Sequence, residues 1–265
     1  MLLFIFTEFK RNEMKASEAL ALLPDTKGCV VILSGGMDST ITMRLAVEKY
    51  GKENVSALTF NYGQKQKREI DMARATTHML GVKHRIVDAS FLGEISKGFS
   101  ANVDTEMEMP TIKDVLGDAT PKTYVPNRNM ILMSIAAAFA ETQNVEYIFT
   151  GLQVTDEYGY WDTTARFVKK MNDVFSENRK IKIKLEAPFV SLSKKQELAI
   201  LDELDGDLNL LLFTLTCYNP DKDGNSCGVC PSCSERIKNF ADYGVKDIVP
   251  YSIDIPWEKI IKSKA

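Results

Sequence analysis

Residues 29–50 read CVVILSGGMDSTITMRLAVEKY, and this stretch decides the fold. Cys29–Leu33 is an unbroken apolar run, the pattern of a strand covered on both faces. Ser34–Ser39 (SGGMDS) interrupts it with two successive glycines and small polar residues, which is turn chemistry. Thr40–Tyr50 then carries Ile41, Leu45, Ala46 and Val47 at helical spacing. A strand, a glycine turn and a helix open a βαβ unit.

The alternation continues outward. Val55–Phe60 reads as a second strand, Lys65–Leu80 as a helix with Ile70, Ala73, Thr77 and Leu80 on one face, and His84–Val87 as a third strand. Asn127–Thr142 is an Ala- and Met-rich helix, apolar all round and therefore central. Tyr147–Thr150 reads as a strand, Phe167–Asn178 as a helix, Lys182–Ala187 as a strand and Ser193–Leu204 as a helix. Successive βαβ units predict an α/β fold: a parallel sheet of about five strands with right-handed crossovers and helices on both faces. This domain is assigned to 28–212. Residues 1–27 form an N-terminal extension, in which Met14–Leu23 makes an amphipathic helix for packing or subunit contact. Residues 213–245 form a cysteine-bearing subdomain and 246–265 a tail, in which Pro250–Trp257 is bracketed by prolines. The polar, Gly- and Pro-bearing stretch 88–124 is expected to be a functional loop.

Composition bounds the function. With 45% hydrophobic and 26% charged residues, disorder is excluded as the dominant state. Thirty-three basic against 36 acidic residues leave a net charge of −3, which argues against direct nucleic-acid binding. The longest apolar runs, Met1–Thr7, Ile131–Ala140 and Leu208–Thr216, fall short of the ~20 residues a spanning helix needs, so no membrane role is expected. Leu2–Phe6 is brief, follows no basic residue and runs at once into Glu8, Lys10 and Arg11, so a secretory signal is not expected. The default compartment is cytoplasmic, with thiols reduced.

The glycine turn is a phosphate-binding device. Its backbone N–H groups, the dipole of the following helix and the hydroxyls of Ser34, Ser39 and Thr40 make an anion site at the carboxyl end of the first strand. The Gly-Lys-Ser/Thr ending of a Walker loop is absent, as is the three-glycine dinucleotide pattern. The SGGxDS pattern resembles instead the pyrophosphate loop of the ATP pyrophosphatase superfamily. There the loop grips the β,γ-phosphates while the α-phosphorus is attacked, and Asp38 would hold Mg²⁺ or orient the loop. The bland reading is a plain strand–helix turn.

Cys217, Cys227, Cys230 and Cys233 lie in a C-x9-C-x2-C-x2-C spacing, with NPDKDGNS (219–226) turning the chain between the first two. Four thiolates with no spare position describe a closed structural Zn²⁺ site. An iron–sulfur cluster needs the same ligands, and reduced surroundings disfavour disulfides. Cys29, inside the first strand, reads as a small buried hydrophobe.

Both motifs, in this order, resemble the 7-cyano-7-deazaguanine synthase family over roughly Gly28 to Tyr243. The supporting stretches are LSGGMDST (33–40), FNYGQKQKREID (60–71), YVPNRNMI (124–131), TGLQVTDEYGYWD (150–162), PFVSLSKKQE (188–197) and LTCYNPDKDGNSCGVCPSCSER (215–236). The resemblance implies an ATP site at Leu33, Ser34, Gly35, Gly36, Met37, Asp38, Ser39 and Thr40, with Tyr62, Gly63 and Gln64 beside the nucleotide. It implies that Arg128, Asn129, Asp156, Tyr160 and Asp162 meet the substrate, and that Asp38, Lys194, Arg128 and Asp156 serve catalysis. Lys194 would neutralise phosphate charge. The four cysteines match zinc ligands, and Arg236 matches an arginine just past them.

The implied activity is two rounds of adenylation. ATP activates the carboxylate of 7-carboxy-7-deazaguanine, ammonia gives the amide, and a second ATP drives the amide to the nitrile. A homodimer is implied as well. The chain departs from the pattern in four places: at Asn127, where glycine is usual; at Thr163 and Thr164, where a Cys-Arg pair often follows the aspartate at 162; in the segment 152–158, which differs in detail; and in the extra residues 1–27. Branches of the family associated with phage genomes and anti-phage systems stop at the amide or join the activated acid to another amine, including a protein N-terminus. A protein partner or protein substrate belongs to that alternative.

Other classes remain as alternatives. A tRNA-modifying relative of the thiolating kind needs a cysteine pair near the loop, and only Cys29 is spare. A nucleotide-sensing or zinc-bearing interaction module would bind ATP without releasing pyrophosphate. Lys65, Lys67 and Arg68 are either a solvated face or a phosphate-side contact, and His78 and His84 lie away from the motifs.

Overall fold

The computed structural model describes residues 14–110, 121–153 and 160–262. Five strands, β1 (Cys29–Ile32), β2 (Val55–Asn61), β3 (Lys83–Asp88), β4 (Tyr147–Thr150) and β5 (Lys184–Glu186), form one parallel sheet in the order β3-β2-β1-β4-β5. β1 is central, with Cys29 in register with Val55 on one side and Tyr147 on the other. This placement explains its unbroken apolar run, since neither face meets water.

The period of two along each strand sorts the core into two layers. Cys29, Val31 and Leu33 point to one side with Ala57 and Phe149. There they meet Ile41 and Leu45 of α2 (Met37–Tyr50), Ala73 of α3 (Arg68–Leu80) and Leu198. Val30, Leu58, Phe60, Ile148 and Leu185 point to the other side. There they meet Leu132 and Ala136 of α5 (Arg128–Thr142) and Phe167 and Met171 of α6 (Ala165–Phe175), with Leu92 of the short α4 (Phe91–Ile95). Ile41, Leu45 and Phe149 are fully buried, and burying such a side chain stabilises by roughly 1.5–3 kcal/mol.

Leu198 belongs to α7 (Lys194–Asp205), whose N-terminus is closed by a capping box between Ser193 and Gln196. Inside the N-terminal segment, α1 (Ala16–Leu22) buries Ala16 and Ala19 in the first core layer, and the Ala16 N–H donates to Glu203 of α7 at 2.6 Å. Among the described residues no helix is long and apolar enough to cross a membrane.

Three helices lie where sequence periodicity marks none, the first being the short α4 inside the expected loop 88–124. Pro231 starts α8 (Pro231–Tyr243), a placement that suits proline because an N1 nitrogen has no helical acceptor. The third, α9 (Trp257–Lys262), ends the described chain. A buried bidentate pair joins Arg236 Nε and Nη2 to Asp247 at 2.6 and 3.0 Å, and Tyr251 donates to the same carboxylate at 2.7 Å. Arg236 therefore ties the segment beyond α8 to the cysteine region. Helix limits differ in one other useful way. α2 begins at Met37, three residues before Thr40, so Asp38 and Ser39 sit in its first turn.

Candidate active site

Past β3 the chain returns to the centre, so β4 lies against β1 on the side opposite β2. The sheet order reverses there, and the carboxyl ends of β1, β2 and β4 open onto a cavity of about 330 Å³. A volume of that size suits a small molecule.

The loop after β1 forms one end of the cavity. Ser39 Oγ accepts the Ser34 N–H at 3.1 Å and lies 2.9 Å from Ser34 Oγ, while the Gly36 N–H donates to Ser34 Oγ at 3.2 Å. These contacts close the loop on itself. Gly35 has a left-handed φ of +86°, and a Cβ there would lie 2.0 Å from the Glu69 carbonyl oxygen. Gly36 has an ordinary φ of −85°, and a Cβ there would meet only Ser34 Oγ at 3.3 Å and Thr216 Cγ2 at 3.9 Å. The fold therefore requires the first glycine. The second keeps a wall of the cavity bare.

Lys194, the first residue of α7, reaches over this end. Its Nζ lies 3.0 Å from Glu235 of α8 and 3.7 Å from Asp38 of α2. Ser232 and Glu235 of α8 and Thr216 also line the wall, so the cysteine region forms part of the same site. The Leu215 N–H donates to the Gly35 carbonyl at 2.9 Å, fastening that region to the loop.

The other end is built around Arg128. It begins α5, donates to the Tyr62 hydroxyl at 3.3 Å, and lies 5.4 Å from the centre of that ring. Burial pulls the guanidinium down, but Tyr62, Asp162 and Tyr160 outweigh it and hold the charge. Burial raises Asp162, with Arg128 opposing. Asp162 accepts the Asn129 backbone N–H at 3.4 Å, and its own carbonyl accepts Asn129 Nδ2 at 3.1 Å. Tyr160 stacks on Tyr124 with ring centres 6.1 Å apart and shares a 2.5 Å hydrogen bond with Thr123. The result is a flat aromatic wall beside a fixed cation.

The structure thus gathers Leu33, Ser34, Gly36, Met37, Asp38, Ser39, Tyr62, Gln64, Arg128, Asn129, Tyr160, Asp162 and Lys194 around one cavity. It does not bring Gly35, Thr40 or Gly63 to the wall. Gly35 backs onto Glu69, Gly63 packs against Gly93, and the Thr40 hydroxyl is buried without a hydrogen-bond partner among the described residues. Asp156 lies outside the described residues. Of the basic cluster, Lys65 lines the cavity and donates to the Met107 carbonyl, while Arg68 donates to the Lys222 carbonyl at 2.8 Å. His84 bonds Thr59 and Thr77 instead. Glu69, Thr216, Ser232 and Glu235 are wall residues that motif reading did not single out. All four stood inside the quoted motif stretches, but no spacing marked them.

Beside this cavity, one sulfur atom from each of Cys217, Cys227, Cys230 and Cys233 lies within 4.8 Å of the others, a group that could hold a metal ion. Backbone N–H groups already point at the sulfurs. Cys217 Sγ accepts from Asn219 and Cys227 at 3.3 and 3.2 Å, and Cys227 Sγ accepts from Cys230 at 3.3 Å. Donors aimed at sulfur stabilise thiolates, so the residues fit a metal.

A protein-family model described as queuosine biosynthesis protein QueC matches residues 28–244. The chain belongs to the QueC family. Its relatives include the 7-cyano-7-deazaguanine synthase of Caldicellulosiruptor bescii, 38% identical over 86% of this chain and 99% of the relative. The synthase of the same name from Methanococcus aeolicus is 37% identical over 84% of this chain and 98% of that one. A solved structure, NMN synthetase from Francisella tularensis, overlaps 94% of this chain and 90% of its own at 16% identity, with a TM-score of 0.48, a likeness too low to argue from. Within the QueC frame two of the four departures have local accounts. Asn127 adopts φ +55°, a left-handed conformation that asparagine tolerates in place of glycine. Thr164 caps α6 by accepting the Phe167 N–H at 3.1 Å, and Thr163 lines the cavity with its hydroxyl turned to the Tyr160 carbonyl.

Proposed function

We propose that this QueC-family protein is an ATP-dependent ligase that adenylates 7-carboxy-7-deazaguanine and, with ammonia, forms the amide and then 7-cyano-7-deazaguanine, releasing AMP and pyrophosphate. The observation that carries this reading is the two-ended cavity: a phosphate-type cradle at the α2 N-terminus with Lys194 above it, and a flat wall of Tyr160 and Tyr124 beside Arg128. The cradle end takes the triphosphate. Backbone N–H groups at the start of α2, the helix dipole and Lys194 favour charge that builds on the departing pyrophosphate. Mg²⁺, held by Asp38, would supply further charge neutralisation there. The aromatic wall takes the deazapurine ring, and Arg128 turns its carboxylate toward the α-phosphorus.

Chemistry then follows from the bonds. A carboxylate oxygen attacks the α-phosphorus and pyrophosphate leaves. Ammonia displaces AMP to give the amide. The amide oxygen is adenylated in turn, and loss of AMP with the remaining N–H proton leaves the nitrile. Dehydrating an amide is uphill, which accounts for the second ATP. The four cysteines would hold Zn²⁺ as a closed structural site, with no position open to substrate.

The test is incubation of purified protein with ATP, Mg²⁺, 7-carboxy-7-deazaguanine and ammonium, with products read by mass spectrometry. The nitrile with two AMP per product supports the reading. ATP binding without AMP release overturns it. One observation favours a second outcome. Thr163 lines the cavity where the family pattern often has a cysteine, and the neighbouring Thr164, which caps α6, stands where an arginine often follows; the loss of both side chains at the substrate end supports an enzyme that stops at the amide or passes the acyl group to another amine.

A further inference from the structure

One cavity side chain has no part in the scheme above. Glu69 stands in the first turn of α3, its carbonyl against Gly35 and its side chain in the cavity wall. The other cavity carboxylates are engaged. Asp38 and Glu235 flank Lys194, and Asp162 accepts from Asn129. Among the described residues, no hydrogen bond or ion pair engages the Glu69 carboxylate. An acid in a helix's first turn ordinarily lies in solvent, where it serves the helix dipole. Glu69 is instead half-buried and lines the cavity.

The charged and titratable groups around it are few. Arg128 comes from α5 and Tyr62 from the turn after β2, both within electrostatic reach. Across the cavity stand Asp162, Tyr160 and Lys194, and Lys65 lies on its own approach to α3. Burial pushes the Glu69 carboxyl up to about 8, with Arg128 opposing. A group in that range is partly ionised at working pH and basic enough to accept a proton.

The proposed reaction needs such a group. When an amine attacks the acyl adenylate, its nitrogen lone pair forms the C–N bond. The C–O bond to AMP breaks with its electron pair, and one N–H proton must leave. Resting on the ligase reading above, we infer that Glu69 is the general base that accepts this N–H proton. The proton then passes to solvent through the cavity mouth, and no oxidant or reductant is involved.

The test separates the two half-reactions. Wild type, Glu69→Gln and Glu69→Asp are given ATP, Mg²⁺ and 7-carboxy-7-deazaguanine, and pyrophosphate release is followed without ammonium. Ammonium is then added and amide formation is followed across pH, with rates expressed per unprotonated ammonia. In Glu69→Gln, pyrophosphate release stays within about threefold of wild type. Its amide formation falls roughly 100-fold and the limb rising through about pH 8 disappears. Glu69→Asp keeps that limb at an intermediate rate. Thermal melts at pH 6 establish that both variants fold. Equal losses in both half-reactions, no loss in either, or a slow amide step that keeps its limb overturns the assignment while leaving the ligase reading intact. No pyrophosphate release by the wild type overturns the ligase reading and this assignment with it.

Discussion

Gly35 and Gly36 are adjacent, yet the fold asks different things of them. At Gly35 both the +86° φ and the Glu69 carbonyl exclude a Cβ. Gly35→Ala should therefore cost about 1–3 kcal/mol from the backbone alone, and more from the clash, seen as a large fall in melting temperature. Gly36→Ala should melt within about 1 kcal/mol of wild type, because the helix-start conformation suits alanine, yet lose nucleotide binding because the methyl occupies the cradle. Calorimetry on both variants checks the contrast. Glu69 makes a separate prediction about stability. Its carboxyl is near 8 in the folded state against 4.5 for the free side chain, so the folded protein holds a proton that the unfolded chain has lost between those values. Its contribution is fully present below about pH 4.5 and is lost as pH rises through about 8. Glu69→Gln should thus gain stability relative to wild type between pH 5 and pH 9, measured by paired melts. A constant difference between the two would show that the side chain is open to water.

At the scale of elements, five helix N-terminal regions contribute to one cavity: α2 with Asp38 and Ser39, α3 with Glu69, α5 with Arg128 and Asn129, α7 with Lys194, and α8 with Ser232. The aim of Lys194 depends on how α7 starts. Ser193→Ala removes the capping box and should cost about 1 kcal/mol of stability. It should also raise the KM for ATP more than it lowers kcat, since Lys194 loses its fixed origin. Steady-state kinetics at saturating deazaguanine acid would show the split. α2 and α7 were legible as helices because their apolar residues recur at helical spacing. α8 was not, because it starts among cysteines and buries only a few apolar side chains, Phe240 and Ala241 among them. Glu235 went unnoticed for the same reason, since a residue cannot be aimed at Lys194 before its helix is known.

Considered whole, the molecule links its cysteine cluster to the glycine loop after β1 through the Leu215–Gly35 hydrogen bond, Ser232 and the Glu235–Lys194 pair. Metal removal should therefore weaken nucleotide binding as well as lower the melting temperature. We expect a loss of about 10–100-fold in ATP affinity on chelation, restored by adding the metal back. Titration calorimetry with metal content assayed in parallel measures it. Unchanged affinity in the metal-free protein would mean that the cavity wall stands without the cluster. The Arg236–Asp247 pair belongs to this scale too. Arg236 had the position of a family motif residue, and the fold uses it to hold the segment beyond α8.

By itself the sequence determined the parallel α/β sheet, its five strands, the loop after the first strand and the cluster of four cysteines. All of these rest on local periodicity or spacing, which a chain carries wherever it folds. Only the tertiary structure decided that β4 lies beside β1, which brings Gly151 so close to Asp38 and Ser39 that a Cβ would lie 2.7 Å from the Ser39 nitrogen. It alone placed Glu235 against Lys194, and it brought the half-buried Glu69 into the cavity wall. The physical reason is common to these cases. The charge state and reach of a side chain depend on which distant segments exclude water from it, and strand order sets those neighbours.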